Sequence, residues 1–304
     1  MRGCNGRGMR ALALAMALGF MACGGGGGGD QPGNRLPNPG PPAETEATGL
    51  VGPEGLTFDS NGVLYVGSST GRITRITPDG FLSVFVETGR SLTGLATGPQ
   101  DTIWAAAFYT GEVLEITQTG VIRVATTGLD GPNAIAFDRF QRPLVTAIGL
   151  GGRPQVALIE PDTTYRTLTR EITSPNGLAF GSDGALYVAD TFQNRVVRME
   201  ESDDGTLTTP EIYASGLGLP DGIAFDDNGD LFVAGAGQIW VVVPEEAPDA
   251  RPFTTTGALD GPASLAFGFG TNRDRSRLYF TNFGYPVIGS GTTVASVKVG
   301  ISGA

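Results

Sequence analysis

The sequence predicts an all-β domain, a six-bladed β-propeller of four-stranded antiparallel blades. A short apolar phrase recurs six times, as EGLTF at 54–58, TGLAT at 93–97, NAIAF at 133–137, NGLAF at 176–180, DGIAF at 221–225 and ASLAF at 263–267. The spacings between first residues are 39, 40, 43, 45 and 42, the period of a four-stranded blade. Between the phrases, runs of alternating apolar residues are separated by turns rich in Gly, Asn and Asp, and no window after the first 23 residues keeps a helical period.

Within the first repeat the strands are GLTF, VLYVGSS, RITRIT and FLSVFVET, joined by the turns DSNG, TG and PDG. The fourth repeat reads GLAF, ALYVADT, RVVRME and TLTTPEIYA in the same order. Short Gly-containing turns between alternating segments are hairpin signals. The sixth repeat supplies only SLAF, RLYFTNF and TTVASVKV, so its fourth strand is expected from ETEATGLV at 44–51, which closes the ring and removes an open edge. One domain, 44–304, follows. DDNGD at 226–230 fills the slot of DSNG and is read as a hairpin turn, Asp190 and Asn194 as local caps, and Trp104, Tyr187 and Phe232 as packing between blades.

In a propeller the first strand of each blade lines the central channel. The residues that open these strands are Glu54, Thr93, Asn133, Asn176, Asp221 and Ala263, and four of them carry carboxylate or amide oxygens. Oxygen-only donors suit calcium, with magnesium or manganese less suited. Glu54, Asn133, Asn176 and Asp221 are therefore candidate metal ligands, with Thr93 and Ala263 lining the channel beside them. Pro-Asn-Gly and Pro-Asp-Gly are also ordinary turn sequences, but four oxygen-bearing residues in one register favour the site. The chain has no histidine, which excludes a Ser-His-Asp triad, a histidine proton shuttle and histidine-ligated zinc.

The N-terminus reads as an export signal over 1–22, with a basic start, MRGCNGRGMR, and an apolar stretch, ALALAMALGFM. Its end, GFMAC, resembles a bacterial lipoprotein signal in which Cys23 becomes the lipidated first residue. Cys4 and Cys23 are the only cysteines, so the exported chain has no internal disulfide to form. Residues 23–43, rich in Gly and Pro, are expected to be a disordered tether. Localisation is then the bacterial cell envelope, on a lipid anchor. The net charge of −11 argues against nucleic acid as a partner, and the domain is expected to act as a monomer.

SPNGLAFGSDGALYVADTFQNRVVRM and LPDGIAFDDNGDLFVA resemble the senescence marker protein, gluconolactonase and luciferin-regenerating enzyme family. The resemblance runs from Gly52 to about Gly300. It implies a six-bladed propeller with a divalent cation, often calcium, in the channel and hydrolysis of lactones or related esters. It also implies that Glu54, Asn133 and Asn176 hold the ion and that Asp221 is a ligand and the catalytic base or nucleophile. Gly131 and Ala134 in GPNA stand where sugar-lactone members have Arg and Asp, and Phe58 stands where Trp is common. A less polar lactone or ester substrate fits these departures better than a sugar lactone. The alternative is a non-catalytic binding or scaffold lipoprotein with a structural calcium.

If Cys23 carries lipid, the wild-type protein partitions into detergent and Cys23→Ser stays in the aqueous phase. Mass spectrometry of the mature N-terminus checks this, and an unmodified first residue other than Cys23 would count against the anchor.

Overall fold

The computed structural model describes residues 36–284 and 289–304. Six four-stranded antiparallel sheets succeed one another along the chain. Their first strands are Pro53–Phe58, Leu92–Thr97, Pro132–Phe137, Pro175–Phe180, Ile223–Phe225 and Pro262–Phe267. Each packs against the first strand of the next blade, and the last packs against the first, so the six enclose one axis. The predicted fold class is thus observed.

The sixth sheet closes as the sequence suggests. Glu44–Ala47 pairs antiparallel with Thr293–Lys298, Glu44 opposite Ser296 and Ala47 opposite Val294. Arg277, on the neighbouring strand of that sheet, pairs with both Glu44 and Glu46. The domain also begins earlier than expected. Within the segment read as a tether, Leu36 is buried, Gly40 N–H donates to the Phe253 carbonyl at 2.8 Å, and Ala43 N–H donates to the Thr256 carbonyl at 3.0 Å. Residues 36–43 therefore belong to the packed body. Leu36 is the one large apolar side chain between Gly24 and Ala43, and burying it outweighs the flexibility that the surrounding Pro and Gly suggest. Residues 1–35, including Cys23, lie outside the described residues.

The core lies between blades. Trp104 meets Phe137 edge-on at 5.5 Å, Tyr187 meets Phe225 at 4.8 Å, Phe232 meets Phe267 at 5.6 Å and Tyr279 meets Phe58 at 5.1 Å. In each pair a second-strand aromatic of one blade contacts the first strand of the next, a geometry favoured by ring quadrupoles. The last pair closes the ring, and Arg273 lies over both of its rings while donating to the Gly62 carbonyl at 2.7 Å.

The hairpin turns are held by aspartates. Asp59 Oδ1 accepts from the N–H groups of Asn61 and Val63, Asp138 Oδ1 from those of Phe140 and Arg142, and Asp226 Oδ1 from those of Asn228 and Asp230. DDNGD is thus the hairpin turn that its place in the repeat implied. The second oxygens are treated differently. Asp59 Oδ2 accepts from the Tyr65 hydroxyl and Asp138 Oδ2 from Arg142, but the matching places beside Asp226 hold Phe232 and Asp230. Asp226 Oδ2 is buried without a hydrogen-bond partner. Burial first, and the Asp230 charge with it, push the Asp226 carboxyl up to about 6.

A carboxyl raised on folding contributes stability at low pH and loses it as pH rises through the folded value. The loss from Asp226 should therefore fall between its ordinary 3.8 and about 6. Asp230→Asn replaces the opposing charge with a possible N–H donor. Its Tm is expected to exceed that of wild type at pH 7 and to converge on it near pH 4, as measured by calorimetry across that range.

Candidate metal centre

The ring residues are set in place by a repeated backbone irregularity. In the first blade Pro53 faces Ser68 and Leu56 faces Val66, so Glu54 and Gly55 together oppose Gly67. The same shift falls between Leu92 and Leu95, Pro132 and Ile135, Pro175 and Leu178, and Pro262 and Leu265. In the fifth blade Asp221 N–H donates to the Ala234 carbonyl and Ala234 N–H to the Gly222 carbonyl, which leaves Asp221 and Gly222 opposite Ala234. A bulge of two residues against one re-aims the side chain it carries. Each bulge begins at one of the six residues that the repeat register selected.

Neighbouring bulges touch. Gly177 N–H donates to the Asp221 carbonyl at 3.2 Å, and Gly222 N–H donates to the Ala263 carbonyl at 2.8 Å. A Cβ at either glycine would stand 2.2 or 2.4 Å from that carbonyl oxygen, which explains why glycine follows both Asn176 and Asp221. The approach to Asp221 is pinned from the preceding blade, where Thr191 Oγ1 donates to the Pro220 carbonyl at 2.8 Å and Asn194 Oδ1 accepts from Leu219 N–H at 2.9 Å. Asp190, fully buried, accepts from Ser174 N–H and from the Thr173 hydroxyl at 2.9 Å and is paired with Arg195. Asp190 and Asn194 flank the short turn at 191–193 as the sequence suggested, but neither side chain makes a local cap bond; both instead fix the entries to Asn176 and Asp221.

Glu54, Thr93, Asn133 and Ala263 are buried, and Asn176 and Asp221 are half-buried. Glu54 and Asp221, on blades one and five, feel each other's charge. Burial first, then Asp221, raise the Glu54 carboxyl well above the usual carboxylate range. Burial raises Asp221 to about 6, and a hydrogen bond from the Asn176 side chain opposes the rise. Asn176 Oδ1 is buried without a hydrogen-bond partner. Glu54, Asn176 and Asp221 are thus brought together. Asn133 occupies the same register, with no side-chain hydrogen bond to the other three among those described. Thr93 turns its hydroxyl to the Pro132 carbonyl at 3.0 Å and acts as an inter-blade tie, while the Ala263 carbonyl accepts from Gly222.

Two acids under mutual repulsion and an amide oxygen lacking a donor form a place that a cation would relieve. The donors are all oxygen, which fits calcium. Among the described residues no three His, Cys, Asp or Glu side chains gather, so amide oxygens must complete any such site. A cavity of about 760 Å³ lies elsewhere, at the far ends of the first strands, where Thr57, Ala179, Ala224 and Ala266 line it. No ring residue contributes to that cavity, and none of the described buried polar atoms lacking a partner lines it. The ring is the better candidate because its polar groups require a ligand.

The family model described as SMP-30/Gluconolactonase/LRE-like region matches residues 146–283. That region spans the Asn176 and Asp221 bulges, and a second model, strictosidine synthase-like, N-terminal, matches residues 44–76 around Glu54. Among solved structures, a luciferin-regenerating enzyme is 17% identical over 87% of this chain and 98% of its own, with a TM-score of 0.74. A calcium-binding protein, regucalcin, from Agrobacterium tumefaciens is 18% identical over 88% and 96%, TM-score 0.72. A gluconolactonase from Xanthomonas campestris is 20% identical over 84% and 88%, TM-score 0.70. These likenesses establish the shared propeller fold. No curated protein sequence matches this chain.

The raised carboxyls set a pH dependence. In metal-free protein, Asp221 loses its stabilising proton as pH rises through about 6, and Glu54 is raised in the same direction, so stability should fall over that window. Calcium needs the charged forms. Its stabilisation, about 2.7 kcal/mol at a hundredfold excess over Kd, should be larger near pH 7.5 than at pH 5. Thermal melts with calcium and with chelator at both pH values check this, and equal shifts at the two pH values would contradict it.

Proposed function

We propose that this chain is an exported, lipid-anchored, calcium-dependent hydrolase of lactone or ester type, with the ring at the head of the channel as its active centre. The observation that carries the reading is the convergence of Glu54 and Asp221 with the unpartnered Asn176 oxygen. Glu54, Asn133, Asn176 and Asp221 are the residues that would hold the ion. When bound, a divalent cation supplies polarisation of the substrate carbonyl. Asp221 is the proton acceptor. As a carboxylate, Asp221 would take a proton from water as that water attacks the carbonyl carbon. The proton then goes to the departing alkoxide, which leaves a hydroxy acid from a lactone or an acid and alcohol from an ester.

A less polar substrate is supported where Gly131 interrupts the sugar-lactone pattern. A Cβ there would sit 3.2 Å from Leu150 Cγ and 3.3 Å from Ile148 Cγ1, so apolar side chains cover this approach to Asn133. One observation favours the alternative of a binding or scaffold propeller with a structural calcium. Glu54, Asn133 and Ala263 expose only 9%, 8% and 2% of their surface, which would leave an ion enclosed by protein.

Asp221→Asn separates the two readings, since it keeps size and one oxygen donor but removes the base. Assayed with calcium on a panel of lactones, aryl esters and phosphotriesters, the variant is expected to lose about 10² to 10⁴-fold in kcat while retaining its fold. Full turnover in the calcium-loaded variant would remove Asp221 from the chemistry.

A further inference from the structure

The six bulges divide into two kinds. In four of them the ring residue is followed by glycine, and the residue opposite is Gly67, Ala106, Ala189 or Ala234. A Cβ at Gly55, Gly94, Gly177 or Gly222 would come within 2.1, 2.4, 2.2 and 2.4 Å of the next blade's carbonyl oxygen. In these four the adjacent backbones meet directly. In the other two, Ala134 and Ser264 stand in the glycine position, and the residue opposite is a threonine, Thr146 or Thr281.

Both threonines are wholly buried. Thr146 Oγ1 donates to the Asn176 carbonyl at 2.7 Å and accepts from Ala134 N–H at 3.0 Å. Thr281 Oγ1 donates to the Glu54 carbonyl and accepts from Ser264 N–H at 3.1 Å. The bulge that lacks glycine is thus joined to the next blade through a hydroxyl, and the carbonyls served belong to two of the four candidate ligands.

We propose that Thr146 and Thr281 are positioning residues of the ring, each fixing the backbone of a ligand residue in the following blade and so the aim of its side-chain oxygen. The proposal rests on the reading of the ring as a cation site. Thr146 acts through Asn176, whose amide meets Asp221, and Thr281 acts through Glu54. A β-branched side chain locked at χ1 suits the task, because its hydroxyl has little freedom to leave the carbonyl.

The test uses the full chain in three forms: Thr146→Val, which keeps the shape and loses the hydroxyl; Thr146→Ser, which keeps the hydroxyl; and Thr146→Ala with Ala134→Gly, which rebuilds the pairing of blade four. Two quantities are measured, the Kd for calcium chloride by calorimetry and, in metal-free protein, the nitrogen NMR signal of the Asn176 side-chain amide. Thr146→Val is expected to weaken calcium binding roughly tenfold, the scale of one buried carbonyl left unpaired, and to shift or broaden the Asn176 signal. Thr146→Ser and the paired change should restore both. Unchanged Kd and an unchanged signal in Thr146→Val would overturn the proposal, as would equal losses in the Val and Ser variants. If wild type binds no calcium, the cation reading fails, and the Asn176 signal alone still decides whether Thr146 positions that side chain. Should Thr146→Val not fold, Thr281→Val gives the same decision through Kd and the carboxyl carbon signal of Glu54.

Discussion

Six first strands run side by side around one axis, and the space between them is too narrow for side chains on both edges. The chain meets this constraint with a bulge at the start of each strand, two residues against one, with the following residue reduced to glycine at four of the six positions. The bulge lets one side chain per blade turn toward the axis while the rest of the strand packs on its neighbours. Inter-blade aromatic pairs, such as Tyr279 on Phe58, then hold the blades at the separation that the bulges require. The fold and the candidate centre therefore arise from one local irregularity used six times.

The ring works against the stability of the fold that builds it. Glu54 and Asp221 are removed from water and repel each other, and each is shifted toward its neutral form. At the Asp190–Arg195 pair, by contrast, the buried carboxylate has a guanidinium and two further donors beside it. No cationic side chain offsets the burial of the ring acids. A bound cation would supply that charge, and this is the physical reason to connect the ring with a metal.

Much of this was legible in the sequence because the repeat makes equivalent positions visible. The period identified six blades, and the register picked out Glu54, Asn133, Asn176 and Asp221 without reference to geometry. The short sixth repeat pointed to Glu44–Ala47 as its missing strand. Thr146 and Thr281 were not legible. They stand opposite the ring residues on second strands, and their role appears only when they are compared with Gly67 or Ala189 across paired strands. The packing of Leu36 was hidden by the Pro and Gly around it, since one apolar residue carries no periodicity. The stress on Asp226 comes from its burial beside the Asp230 charge, and a turn motif read alone does not reveal it.

The pairing of Glu44–Ala47 with Thr293–Lys298 joins segments from opposite ends of the domain, and Glu46 and Ser296, bonded across it, lie 250 positions apart. A strand made at the start of the domain must wait for one made at its end. Until then its hydrogen-bonding edge is open, and sheet six can reach only three strands. Closing so long a loop is slow compared with forming local hairpins. Five blades can assemble as they emerge, but the seam closes last, which makes the waiting segment the point in biogenesis most exposed to pairing with another chain.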